Sequence, residues 1–192
     1  PRSTKRRAAH VEVGLGVPAW FPSGLFHARA EDDGVVQIEI RGPDELCPGK
    51  VRAIALFRLG RQRINLDDQR FVGSAFWRQN EQTFDAATVS HKFNDKLNAS
   101  YTFVGQVNRI FGPEKGTPPR DLDTNTNLFD VSYAFAPALT LAGYWYQMDF
   151  DNADALSNET FGLRATGGIP VTGDWKFSYA AEFADQSDEG DN

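Results

Sequence analysis

Large apolar side chains recur at every second position over much of the chain after about residue 85. The clearest example is Trp175, Phe177, Tyr179, Ala181 and Phe183, which alternate with Lys176, Ser178, Ala180, Glu182 and Ala184. Residues 97–108, 129–135 and 160–166 alternate in the same way. Because successive side chains of a β-strand point to opposite faces, this period predicts two-faced strands and no amphipathic helix of normal length.

The connections between these strands differ in length. Asn94–Lys96 and Ala136–Ala138 are tight, 167–174 is intermediate, and the polar segments 60–84, 109–127 and 151–158 are longer. If the strands run up and down in chain order, the long loops fall at one end of the sheet, as in outer-membrane barrels. The chain is therefore predicted to be all-β, an antiparallel up-and-down meander of about seven strands that is part of a transmembrane β-barrel.

Residues 131–148 carry no charge over a length that could also form a membrane-spanning helix. Pro137 near the middle of this run, together with its many β-forming residues, favours two strands joined at Ala136-Pro137. The segment 139–150 leaves its orientation open, because Leu139 and Leu141 have the opposite parity to Tyr144, Tyr146 and Met148.

The polar positions of the strands carry mainly Ser, Thr, Asn, Gln and Ala with isolated charges, which is typical of a water-filled barrel lumen. The apolar positions carry aromatic residues near the strand ends, as in the girdle of a membrane barrel: Tyr101, Phe93, Trp175, Trp145 and Phe161. The alternative interpretation is that the same aromatic residues fill the core of a soluble sandwich.

The first part of the chain carries weaker signals. Residues 1–50 are left unassigned, as a poorly ordered or foreign N-terminal segment, and residues 51–192 are assigned to a partial outer-membrane β-barrel domain. Among residues 1–50, only Val35–Ile40 has a strand pattern. Residues 51–59 have a second strand pattern. Because a sheet edge is not tolerated in lipid, this chain alone is expected to form a partial barrel or a curved open sheet, or a small barrel closed with help from residues 35–59.

Composition excludes several functions. The formal net charge of −6 argues against nucleic acid as a partner. Cys47 is the single cysteine, and no Cys/His cluster indicates a metal, so no cofactor is expected. Ser90 and His91 are neighbours in a strand and point to opposite faces, which argues against a catalytic pair, and no enzyme activity is predicted.

The segment Gly60–Ala87 combines arginines, acids, amides and large aromatic residues. A guanidinium stays charged and matches a carboxylate with two parallel hydrogen bonds, so such residues suit a path for anions. The candidate residues of this path, in the lumen or in a constriction loop, are Arg61, Arg63, Arg70, Trp77, Arg78, Asn80, Arg109, Arg164, Lys176 and Glu182. The alternative is that the arginines form structural ion pairs, with Asp67 and Asp68 as partners.

The stretches GRQRINLDDQRFVGSAFWRQNEQTFDA and NDKLNASYTFVGQVNRIFGP resemble the alginate-export family of bacterial outer-membrane β-barrels. DFDNADALSNETFGLRATG and WKFSYAAEFADQ extend the resemblance over about residues 58–186. It implies a porin-like channel for passive export or uptake of anionic polysaccharide or small solutes. The partners it implies are outer-membrane lipid, the solute and the remaining barrel strands, since family members are longer than this chain.

A function of a different class also fits the pattern. A soluble carbohydrate-binding β-sandwich or barrel module would use exposed aromatic side chains as flat platforms for sugar rings. It would need no lipid to stay dispersed, and its apolar rows would be covered by a second sheet.

Overall fold

The computed structural model describes residues 26–30, 35–41, 54–75, 81–110, 119–172 and 175–188. Their strands are β1 (Phe26–Ala30), β2 (Val36–Arg41), β3 (Ile54–Gln62), β4 (Thr83–Lys92), β5 (Leu97–Asn108), β6 (Asp121–Ala136), β7 (Leu139–Met148), β8 (Asn158–Thr172) and β9 (Trp175–Asp188). One short 3₁₀ turn, Asp154–Leu156, precedes β8. In the part of the chain that the structure describes, no helix combines the length and apolar composition needed to span a bilayer.

The nine strands form a single sheet in chain order, and each strand pairs antiparallel with the next. Among the described residues β1 and β9 are the two edges, so the sheet is open. This confirms the predicted all-β antiparallel meander and agrees with a partial barrel. The sheet already begins before residue 51, because β1 and β2 belong to it.

From β3 onward, the length of the connections distinguishes the two ends of the sheet as predicted. The β4–β5 turn at 93–96 and the β6–β7 turn at Pro137–Ala138 lie at one end, called here the short-turn end. The connections 63–82, 109–120 and 149–157 lie at the opposite, long-loop end. Residues 131–148 therefore form two strands and not a membrane helix, with the proline in the turn where no ladder hydrogen bond is required.

One face of the sheet, called here the outer face, exposes large apolar side chains. Trp175 is 81% exposed, Phe183 68%, Leu163 55% and Phe129 42%. No second sheet covers these residues within the described ranges, since all nine strands belong to one sheet. Within these ranges, the exposed apolar residues are therefore not the interior of a sandwich.

Aromatic side chains on the outer face gather towards both edges of its apolar band. Tyr101, Phe129, Trp145 and Phe161 are direct cross-strand partners from β5 to β8 and form what we call the aromatic row. Ring centroids along this row are 4.5 Å apart for Tyr101–Phe129 and 5.3 Å for Phe129–Trp145. Phe93, Tyr133, Phe135 and Trp175 lie towards the short-turn end. Two aromatic bands with aliphatic residues between them are the pattern of a membrane barrel.

The opposite, inner face is not lined by water alone, which corrects the simple lumen picture. Its half near the long loops contains a packed apolar cluster of Ile64, Val72, Phe84, Ala86, Val104, Val107, Leu122, Leu128, Tyr144, Tyr146 and Phe150. Val107 was expected on the outer face with Tyr101. A β-bulge at Gly105, where Ala86 pairs with Val104 and Asp85 pairs with Gln106, adds one residue to β5 and reverses the parity, so Val107 points inward.

Gly162 provides a test of this inner packing. A Cβ at Gly162 would lie 2.1 Å from Cζ of Tyr144, whose ring is buried and whose hydroxyl is hydrogen-bonded to Glu182. We expect Gly162→Ala to destabilise the folded protein by about 1–3 kcal/mol through overpacking. Gly105→Ala, whose nearest neighbours would be 3.9 Å away, is the matched control. Thermal unfolding in detergent measures both.

The double variant Gly162→Ala/Tyr144→Ala isolates the contact itself. Because removal of the ring removes the clash, the two losses should be strongly non-additive. Additive losses, or equal losses for Gly162→Ala and Gly105→Ala, would show that the close contact is not what requires glycine.

Candidate channel-lining site

Residues 63–75, which follow β3, fold back over the inner face of the sheet and are called here the inner loop. Ile64 and Val72 of the loop are buried in the apolar cluster. The ring of Phe71 lies 5.8 Å from that of Tyr144 and 6.2 Å from that of Tyr146, both on β7. The loop therefore reaches from β3 across the concave side of the sheet to strands four places away.

Hydrogen bonds within the loop fix its path. The backbone N–H of Ser74 donates to Oδ1 of Asn65 at 2.8 Å, and its hydroxyl donates to the carbonyl of Ile64. The side chain of Gln82 donates to the carbonyl of Gly73, and its N–H donates to the carbonyl of Ser74. These bonds satisfy buried backbone groups that water cannot reach, which is what a loop inside a barrel requires.

The loop also needs unusual backbone conformations. Asp67, Gln69 and Ala75 have φ values of 49°, 61° and 50°. A Cβ at Gly73 would lie 2.6 Å from Cβ of Gln69, so only glycine allows the two limbs of the loop to approach this closely. Strained residues of this kind persist where the surrounding contacts fix them.

An ionic cluster joins the loop to β8 and β9. Arg70 contacts Glu182 at 3.1 Å and Asp68 at 3.4 Å. Arg164 contacts Asp68 at 3.4 Å and Glu182 at 3.6 Å. The side chain of Arg70 is 57% exposed and that of Glu182 only 9%. The cluster thus has two cations and two anions, with Arg70 facing the open side.

Two stacked tyrosines of β7, Tyr144 and Tyr146, lie beside this cluster on the inner face of the sheet. Their rings are 4.8 Å apart. The hydroxyl of Tyr144 donates to Glu182 at 2.6 Å, and the hydroxyl of Tyr146 donates to Asp130 at 2.7 Å. The orientation of Glu182 is therefore set by a wall residue as well as by the arginines.

The pKa values of two neighbouring aspartates of the inner loop, Asp67 and Asp68, are shifted in opposite directions. For Asp68, loss of hydration raises the pKa, but the charge of Arg164, the N–H of Arg70 and the charge of Arg70 outweigh it, so its pKa is lowered. For Asp67, partial loss of hydration raises the pKa; Arg164 opposes this, and the negative charges of Glu182 and Asp68 add to it. Asp68 is thus stabilised as an anion, whereas Asp67 is not.

The sequence-predicted residues divide between the two faces. Arg70, Arg164 and Glu182 come together in the cluster. Arg61 instead lies on the outer face, since its β4 partner Asp85 has outward parity, and it forms a bidentate salt bridge with Asp85 through two 2.8 Å contacts. Arg63 forms a salt bridge with Glu81 where the loop begins.

The remaining predicted residues lie apart from the cluster. Arg109, at the end of β5, donates to the carbonyl of Pro119 and lines a small cavity of about 120 Å³ under the inner loop. Lys176 is on the inner face of β9, where its methylene chain crosses Gly168, and it is exposed. Trp77, Arg78 and Asn80 lie outside the described residues.

Sequence reasoning missed the supporting residues Phe71, Tyr144, Tyr146 and Asp130. The opposed parities of the segment 139–150 were the available signal, because they placed Tyr144 and Tyr146 together on one face. His91 lies on the outer face beside Phe93, with ring centroids 4.3 Å apart, and not beside Ser90. Over the described ranges, no group of His, Cys, Asp and Glu side chains is arranged to hold a metal ion.

The two loop aspartates should affect stability with opposite signs. Above its unfolded-state pKa near 3.8, ionised Asp68 stabilises the fold, and this contribution is lost as the pH falls through its lowered folded-state pKa. Ionised Asp67 disfavours the fold at neutral pH, and that penalty disappears below about pH 3.8. We therefore expect Asp68→Asn to destabilise and Asp67→Asn to stabilise at pH 7.

The opposite effects of Asp68→Asn and Asp67→Asn on stability are measured as unfolding midpoints of the wild type and both variants between pH 3 and pH 7. Asparagine suits the positive φ of Asp67 at any pH, so the pH-dependent part of the difference is the diagnostic part. Parallel pH profiles for all three proteins would contradict the assigned electrostatics.

The comparisons with known proteins agree with the fold. The Alginate export family matches residues 48–190, which include strands β3 to β9. No curated protein and no solved structure shows a significant match. Because the family match covers most of the chain, the assignment does not depend on one motif. The chain belongs to the alginate export family, an outer-membrane transport family and not an enzyme family.

Proposed function

We propose that this chain forms part of the wall of a porin-like outer-membrane channel through which an anionic, alginate-like polysaccharide or small solutes pass without catalysis. The observation that carries the proposal is the inner loop, which holds an exposed arginine, Arg70, across the concave side of the sheet at Glu182. A connection that folds inward and narrows the interior is what selects solutes in a pore.

The outer face supports a membrane location. Side chains such as Phe183 and Leu163 would expose more than half of their surface to water in a soluble protein. Contiguous apolar surface of this extent marks a contact with lipid or protein. A soluble carbohydrate-binding sandwich would cover these residues with a second sheet, and the described strands form one sheet only.

The ionic cluster supports anion handling by exchange. Exposed salt bridges contribute only about 0–1 kcal/mol, so a passing carboxylate can replace Asp68 on Arg70 with little loss. Arg70 and Arg164 share Asp68 and Glu182, and Arg70, the more exposed of the two, would then bind a uronate group weakly. Weak binding at several positions allows solute to enter and also to leave.

Changing the charge of the cluster should change ion selectivity in both directions. We expect Arg70→Gln to lower the chloride-to-potassium permeability ratio of the reconstituted full-length protein, because it leaves the cluster with excess negative charge. Asp68→Asn should raise that ratio. Reversal potentials in a salt gradient across a planar bilayer measure both, and block of the current by oligouronates measures the solute.

The control is Arg61→Gln combined with Asp85→Asn, which removes an ion pair on the outer face without leaving a lone charge. It should leave the reversal potential unchanged. The proposal is lost if the Arg70 and Asp68 variants shift the reversal potential no more than this control does.

A further inference from the structure

A second set of arginines surrounds a polar pocket on the outer face at the long-loop end. The pocket has a volume of about 710 Å³, and its lining includes Arg61, Gln106, Asn108, Arg109, Arg120 and Asp121. This volume lies in the range of roughly 300–1,000 Å³ that is usual for sites of small ligands. The inner loop and its ionic cluster are on the other face of the sheet.

The strand register places this pocket outside the barrel wall. Asn108 is the β5 partner of Thr83 on β4 and of Asp121 on β6, and Gln106 pairs with outward-facing Asp85. Phe57, the β3 partner of Val89, lies in line with the aromatic row, because Val89 pairs with Tyr101. Arg61 follows Phe57 by four residues on the same face, about 13 Å further along the strand.

The pocket therefore begins where the apolar band ends. On β3 the outward side chains change from Phe57 and Leu59, which are 36% and 51% exposed, to Arg61. In a membrane barrel the long loops lie on the cell exterior, so this level corresponds to the headgroups of the outer leaflet.

The charges at the pocket favour a group that is anionic and also rich in hydroxyls. Arg61 is paired with Asp85 and Arg63 with Glu81, and the other charged groups at the pocket are Arg109, Arg120 and Asp121. Arg61 uses Nε and Nη2 for Asp85, which leaves the Nη1 protons directed away from that carboxylate.

We infer that this pocket binds the phosphorylated sugar headgroup of an outer-leaflet glycolipid. Guanidiniums of Arg120 and Arg61 donate to phosphate oxygens, for which their forked geometry is suited. The amides of Gln106 and Asn108 and the carboxylate of Asp121 hydrogen-bond the sugar hydroxyls. The acyl chains lie against the aromatic row and the apolar band below it. The inference rests on the membrane location in the proposed function, but not on conduction of any solute.

Binding can be measured on the full-length protein after extraction and removal of lipid with detergent. The probes are a monophosphorylated diglucosamine glycolipid, the same glycolipid without phosphate, and glucosamine phosphate without acyl chains. We expect the phosphorylated glycolipid to raise the unfolding temperature and to remain bound in native mass spectrometry, and increasing salt should weaken binding. Arg120→Gln should weaken it by about fivefold to tenfold, the loss of one charge-assisted hydrogen bond.

Two controls locate the site. Lys96→Gln removes an exposed cation in the β4–β5 turn at the opposite end of the sheet and should bind the glycolipid as the wild type does. Arg61→Gln with Asp85→Asn should weaken binding without exposing a lone carboxylate. Equal binding of the dephosphorylated glycolipid, or equal losses for Lys96→Gln and Arg120→Gln, would overturn the assignment. If glucosamine phosphate without acyl chains binds strongly, the contact of the acyl chains with the aromatic row does not contribute to binding, and that part of the inference is wrong.

The glycolipid-binding experiment and the channel experiment can fail independently of each other. Arg120→Gln should leave the reversal potential of the reconstituted protein unchanged, since Arg120 is beside a pocket on the outer face. A protein that conducts normally but binds no glycolipid defeats this inference alone. A protein that binds glycolipid but shows no selectivity change with Arg70→Gln defeats the channel proposal alone.

Discussion

The structure depends on one constraint, which is that the apolar face of a single open sheet must be covered. The sheet exposes large side chains over strands β3 to β9, and the part of the chain that the structure describes contains no element that shields them. In water this area would cause aggregation, because burial of apolar surface is worth about 25 cal/mol per Å². In lipid it is the stable arrangement, and the unpaired edges β1 and β9 then also require partners. The alginate export family is an outer-membrane family, which agrees with a bilayer against the outer face.

The inner face obtains its core from a loop and not from a second sheet. Ile64, Phe71 and Val72 cover the wall on the half near the long loops, where Leu128 and Tyr146 are fully buried. The other half keeps small polar side chains such as Ser90, Ser100 and Ser132. The wall therefore changes from a packed surface to a hydrophilic one along the strand direction. A loop packed on the inner face narrows a barrel at one level without any change in the strands.

The sequence predicted those features that arise from local alternation. The strands and the outward direction of Trp175 and Phe183 follow from a period of two. The up-and-down order follows from the alternating lengths of the connections, and the short turn follows from Pro137. The bulge at Gly105 was not predicted, although a single glycine inside a strand pattern is a signal for a bulge; the extra residue reverses the direction of Val107. The face of Arg61 was missed since it lies at the end of β3, in a segment interpreted as loop. Long-range contacts such as Arg70–Glu182 join residues far apart in the chain, and no periodicity encodes them.

The two proposals place opposite requirements on arginines at the inner and the outer face of this sheet. A guanidinium in an aqueous lumen must release its anion within the time of a passage, and Arg70 is suited to this because it is exposed and shares two carboxylates. In the proposed headgroup site, by contrast, a guanidinium keeps its anion. Arg61 is held by a single bidentate partner at 2.8 Å, which fixes its direction in a way that a shared pair does not. The arginines of β3 and of the inner loop therefore lie on different faces of the sheet, Arg61 on the outer and Arg70 on the inner face, although they were predicted from sequence to line one anion path.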